Sequence, residues 1–61
     1  DFDPDYSAAW KLLGKARLAR EDFDAAAVAW QHGIDAASRR GDKQAEREMQ
    51  VFLRRLQKPR G

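Results

Sequence analysis

Apolar positions recur at helical spacing through three stretches, and short polar breaks separate them. In the first stretch Ala9, Leu12, Leu13 and Ala16 recur at intervals of three, four and seven, and Ala8 and Trp10 widen the stripe. This predicts a helix from about Tyr6 to Arg20. Pro4 precedes it, and Asp5 or Ser7 is placed to accept its first free N–H groups. After the break Arg20-Glu21-Asp22, a second helix is expected from about Phe23 to Arg39. Asp22 would be its N-cap, and Ala26, Ala27, Trp30, Ile34 and Ala37 would line one side, with Asp24, Gln31 and Asp35 opposite. Gly41 reads as a left-handed stop, with Arg39 and Arg40 in the preceding turn, where positive charge suits the helix dipole. Asp42 then caps a third helix, from about Lys43 to Gln57. Its stripe is Ala45, Met49, Phe52, Leu53 and Leu56, with Val51 pointing away.

Composition supports an all-α chain. Hydrophobic residues make up 43% and charged residues 36% of the 61 positions, threonine is absent, and Val28, Ile34 and Val51 are the only β-branched aliphatics. A chain this short buries little surface and commonly needs support from disulfides, metals or association. With no cysteine and one histidine, disulfides and thiolate metal sites are excluded, which leaves helix packing or self-association. Three helices with short connections must pack as antiparallel neighbours. Nothing approaches the ~20 apolar residues of a membrane span. The lack of cysteine fits a cytoplasmic setting.

The segment WKLLGKARLAREDFDAAAVAW carries a denser signal. Trp10, Leu13 and Gly14, followed by Ala26 and Trp30, resemble the tetratricopeptide repeat, whose pattern is W-x₂-L-G-x₂-Y…A-x₃-F…P over about 34 residues. The physical sense of these positions is readable without the family. Trp10 and Leu13 project toward the second helix, Gly14 permits a close crossing opposite Ala26, and Trp30 fills the wider gap. Mid-helix Gly33 is tolerable where another backbone must come close. The chain departs from the pattern at Arg17 for tyrosine, Glu21 for the turn glycine, Gly33 for a small alanine and Ser38 for the terminal proline. Without that proline the second helix can run on to Gly41.

Register divides the chain further. A forward shift of about 34 residues puts Gln44, Arg47 and Glu48 on the Trp, Leu and Gly positions. None matches, so the third helix is expected to be a capping helix rather than a new repeat. A backward shift puts Pro4 on a terminal proline, so Phe2-Asp3-Pro4 reads as the close of a preceding repeat. The expected division is therefore residues 1–5 as that remnant, 6–40 as the repeat, 41–57 as the capping helix and 58–61 as a frayed tail. The whole, including MQVFLRRL, is similar to the C-terminal half of small bacterial tetratricopeptide proteins of unassigned role.

The resemblance implies a non-catalytic module that presents a groove to a peptide or protein partner. It assigns that groove to Ala8, Lys11, Leu12, Lys15, Leu18 and Ala19 of the first helix. Lys11 and Lys15, one turn apart, would meet a carboxylate. The alternative is self-association into a homodimer or larger homo-oligomer through an open end carrying Phe2 and Tyr6. Charge raises a third reading. Residues 1–35 carry net −3 and residues 36–61 net +5, so the basic end could meet nucleic acid. Glu46 and Glu48 interrupt the basic set, however, and favour a solubilising surface. His32 and Asp35 share a face but lack the further groups that metal or acid–base chemistry needs. No nucleophile–base pair or phosphate loop is present, so neither catalysis nor a cofactor is expected.

Overall fold

The computed structural model describes residues 6–57, and three helices fill them: α1 (Ser7–Ala19), α2 (Phe23–Arg40) and α3 (Lys43–Gln57). The sequence boundaries hold to within one residue. Helix α2 packs against both others, and α1 and α3 touch lightly. Two tight reversals make α1 and α2 antiparallel and α2 and α3 antiparallel, so α1 and α3 run in the same direction.

Both reversals close in the same way. At the end of α2 the Asp42 N–H donates to the Ala37 carbonyl (2.8 Å) and the Gly41 N–H to Ser38 (3.2 Å), with Gly41 left-handed at φ 71°. This is the paired hydrogen bonding of a Schellman stop, and glycine takes its left-handed position without a Cβ penalty. At the end of α1 the Asp22 N–H reaches the Arg17 carbonyl (3.0 Å) and the Glu21 N–H reaches Leu18 (2.9 Å), but the left-handed residue is Glu21 at φ 61°. A side chain there costs about 1–2 kcal/mol. Glu21→Gly is therefore expected to stabilise the chain by about 0.5–1 kcal/mol, the relief being partly offset by the freer unfolded chain. A raised denaturation midpoint checks this, and a lowered one would contradict the strain.

Capping follows the sequence in part. The Ala45 N–H donates to Asp42 Oδ1 at 3.1 Å, as an N-cap carboxylate should accept it. Asp22 occupies the cap position of α2 without a side-chain cap bond. At α1 the N-cap is Tyr6, without a side-chain cap bond; Ser7 is already helical and buried, and Asp5 lies outside the described residues.

The inward face of α1 also differs from its apolar stripe. Ala9 and Leu13 of the stripe are half-buried, as are Ala8, Trp10 and Lys11, but Leu12 is 65% exposed and Ala16 is exposed, and the fully buried positions are Ser7 and Gly14. The reason is Trp30. Its indole, 1% exposed, lies on Gly14 so closely that a Cβ there would overlap the ring, and its Nε1–H donates to the Lys11 carbonyl at 3.3 Å. Helix α2 supplies the bulk that α1 lacks. Being central, α2 buries Ala29, Gly33 and Ala36 as well as Ala26, Trp30 and Ala37, while Ala27 and Ile34 are only half-buried. Gly33 accommodates side chains rather than another backbone. Trp10 Cβ lies 2.8 Å from where its own Cβ would be, and Met49 of α3 presses on the same spot. The α3 stripe falls as expected, with Ala45, Met49 and Leu53 buried, Phe52 and Leu56 half-buried, and Val51 37% exposed.

Candidate protein-interaction groove

Because α1 and α3 run in the same direction across α2, their facing rows come into register at a constant offset. Lys11 of α1 pairs with Glu48 of α3 and Lys15 lies over Phe52, each 37 residues further on, and Leu18 and Arg55, at the same offset, line one groove. The row on α1 is spaced by four and three residues, as one helix face demands, and the row on α3 repeats that spacing. Below them the shallow α1–α3 contact leaves an open groove of about 300 Å³, lined by Lys15, Leu18, Trp30, Phe52, Arg55 and Leu56. Its floor is aromatic: Trp30 and Phe52 lie 5.3 Å apart, tilted by 44°. Lys15 Nζ sits 5.4 Å from the centre of the Phe52 ring, within cation–π range. One turn before Lys15 and Phe52 on the two helices, Lys11 Nζ pairs with Glu48 Oε1 at 3.0 Å. The groove is thus an apolar trough with cations on both walls, suited to an apolar side chain next to a negative charge.

Of the six positions assigned from the sequence, Lys15 and Leu18 line the groove, and Lys11, one turn away, is not a lining residue but is held in the ion pair with Glu48. Ala8, Leu12 and Ala19 are not among the lining residues. The α3 wall lies outside the expected positions: Phe52 and Leu56 belong to the apolar stripe of that helix, and Arg55 to the basic C-terminal set. The available signal was the matching spacing of 48, 52 and 55 to 11, 15 and 18, which becomes visible once α1 and α3 are known to run in parallel. Of the two residues expected at the open end, Tyr6 is 56% exposed and Phe2 lies outside the described residues.

Other hollows lie among the described residues. One, about 590 Å³ along α3, is lined by Lys43, Gln44, Arg47, Glu48 and Val51. Another, about 650 Å³ at the α1–α2 turn, is lined by Leu13, Ala16, Arg17, Arg20, Glu21 and Asp22 and is mostly polar. A third, of about 400 Å³ on the α1–α2 face away from α3, includes Trp10, Val28 and His32. There His32 stacks on Trp10, ring centres 4.8 Å apart, rather than pairing in solvent with Asp35. Among the described residues no group of three or more His, Asp or Glu could hold a metal ion, and no helix is long and apolar enough to cross a membrane.

Comparison with known proteins bears on the hairpin. The chain is 59% identical over 58 residues, 95% of its length, to a TPR repeat-containing protein of Pseudomonas aeruginosa, and TPR abbreviates tetratricopeptide repeat. It is also 34% identical over 55 residues, 90% of its length, to a heat-shock protein cognate co-chaperone of Aspergillus fumigatus. The chain belongs to the tetratricopeptide-repeat family. It spans 55% of the first relative and 16% of the second. No family model and no solved structure matches it.

The departures of this tetratricopeptide repeat from its pattern have structural consequences. Arg17, in place of a tyrosine, is exposed and leaves the 400 Å³ hollow partly unfilled. Ser38, in place of proline, lets α2 continue to Arg40 before Gly41 stops it. Glu21, in place of glycine, puts strain in the turn.

Proposed function

We propose that the chain is a protein-interaction module whose α1–α3 groove receives a segment of a partner protein. The observation that carries this reading is the half-buried pair Phe52 and Leu56, backed by the buried Trp30 and set between the cations Lys15 and Arg55, with Leu18 39% exposed at the edge. An exposed apolar trough of this kind marks interaction surfaces. A co-chaperone relative is consistent with protein partners as a class. Lys15, Leu18 and Arg55 are the contact residues, and residues 41–57 serve both as the cap of the repeat and as the second wall.

The test is selection from a random peptide display library. Enriched peptides are expected to combine a bulky apolar residue with an acidic one. Leu18→Asp and Arg55→Glu should each weaken their binding about tenfold or more, in the range of an interface contact worth over 1 kcal/mol. Lys15→Ala should weaken it less, and Val51→Asp, outside the groove, should leave it unchanged. Failure to enrich any sequence, or binding indifferent to Leu18 and Arg55, would remove the reading.

A second reading, self-association, rests on exposed apolar residues outside the groove lining, Tyr6 and Val28, each 56% exposed. Light scattering over a dilution series separates the two readings. A constant monomer mass rejects self-association, and a dimer that dissociates on Val28→Asp supports it.

A further inference from the structure

Lys11 and Lys15 are not equivalent. Lys15 rests on a ring face, which attracts the ammonium but leaves its three N–H groups available to another acceptor. Lys11 already has a carboxylate. Its backbone is pinned, since its carbonyl accepts the Trp30 indole N–H at 3.3 Å, so its side chain swings from a fixed point. Glu48 is pinned as well, because the next residue, Met49, is fully buried against α2. The pair is partly shielded, with side chains 29% and 42% exposed. Two anchored side chains meeting at 3.0 Å lose less freedom on pairing than two mobile ones.

We propose that Glu48 is a built-in competitor for acidic partners. By occupying Lys11 it confines carboxylate recognition to the Lys15–Arg55 end, so that the groove takes an apolar side chain with one neighbouring carboxylate and gains nothing from a second. Lys11 and Lys15 are four residues apart, about 6 Å of helical rise. Two carboxylates at alternate positions of an extended peptide are about 6.6 Å apart. Such a peptide would bridge both lysines if Glu48 were absent. Glu48 thus selects against densely acidic segments. This inference rests on the groove reading above.

The probes are two capped peptides, acetyl-Gly-Gly-Asp-Leu amide and acetyl-Asp-Gly-Asp-Leu amide, titrated into the full chain at physiological salt and followed by NMR. The wild-type chain should bind both with affinities equal within about twofold. Glu48→Gln should bind the second peptide about three- to fivefold more tightly and leave the first unchanged, the gain expected of one partly exposed ion pair. Lys11→Gln combined with Glu48→Gln should abolish that gain. Glu46→Gln removes the same charge from α3 and should not produce it. Equal affinity of Glu48→Gln for both peptides, or the same gain from Glu46→Gln, overturns the competitor role while leaving the groove intact. Binding of neither peptide overturns the groove reading and this inference with it. Acylation of the lysines by a small water-soluble reagent gives an independent readout. Glu48→Gln should speed modification of Lys11 relative to Lys15, and an unchanged ratio would show that the pair does not hold Lys11.

Discussion

Trp30→Ala is expected to unfold the chain at ordinary temperatures. Truncating a buried tryptophan costs about 3–5 kcal/mol, whereas a domain of this size has about 3–9 kcal/mol in total. The site has little capacity to collapse. Trp30 is 1% exposed, lies on Gly14 and packs at 5.3 Å on Phe52, so its removal opens space to all three helices at once. Nothing on α1 can refill it, because the residues buried there are Ser7 and Gly14. The Lys11 carbonyl would also lose its indole donor. Circular dichroism should show either no folded baseline or a melting midpoint lower by roughly 15 °C or more. A drop of only a few degrees would mean that the α1–α2 interface does not depend on the ring. Coupling to Gly14 provides a cross-check. Gly14→Ala alone forces a Cβ into the indole and should be costly, yet in the Trp30→Ala background that methyl has room, so the two losses should not add.

The same residues show why the fold was legible and one face of it was not. Helix limits were fixed by local chemistry that the sequence displays: the stop at Gly41, the cap at Asp42 and the short break at Glu21-Asp22. Apolar periodicity then placed the core correctly where a helix supplies its own bulk, as α3 does with Met49 and Leu53. On α1 it held at Ala9 and Leu13 only, because part of the contact with α2 is made by a glycine and the carbonyl of a lysine. Leu12 and Ala16 make a convincing stripe but face solvent, because the volume between the helices was already filled from α2. Periodicity counts apolar side chains, and a position that matters by having none contributes nothing to it. Only the family pattern, which includes the glycine, pointed to the real contact.

For the groove the limit was of another kind. The α1 wall was readable, since resemblance assigns it and Lys15 and Leu18 do line the trough. The α3 wall follows from tertiary direction. Two reversals bring α3 alongside α1 in parallel, and only then do Glu48, Phe52 and Arg55 face Lys11, Lys15 and Leu18. A charge such as Glu48 looks like surface until its partner 37 residues away is known. Local sequence rules cannot supply such a pairing, because helix neighbours lie three or four residues apart.

Whether α3 stands as a separable appendage or as part of one cooperative unit is decided by Met49→Ala. Met49 is fully buried, its sulfur presses on the space above Gly33, and Trp10 Cβ meets the same spot from α1. Truncating a buried methionine costs about 2–5 kcal/mol. The loss should fall on the whole chain rather than on α3 alone, for two reasons. The Gly33 site joins α1, α2 and α3 in one contact. A two-helix hairpin, moreover, has too little buried surface to stand by itself, as a single repeat unit generally does. Melting followed by helix signal and by tryptophan fluorescence should therefore shift down together, with one midpoint. Separate midpoints, with helix lost before fluorescence changes, would show α3 fraying from a hairpin that persists without it. Val51→Ala, on the exposed side of the same helix, should change stability by less than about 0.5 kcal/mol. Adding Gly33→Ala tests the geometry itself. In the wild type the new methyl strikes Met49 and Trp10 and should destabilise, but beside the shortened residue 49 only Trp10 still opposes it. The cost of Gly33→Ala should then fall, and a double-mutant cycle should show a coupling of mutual relief.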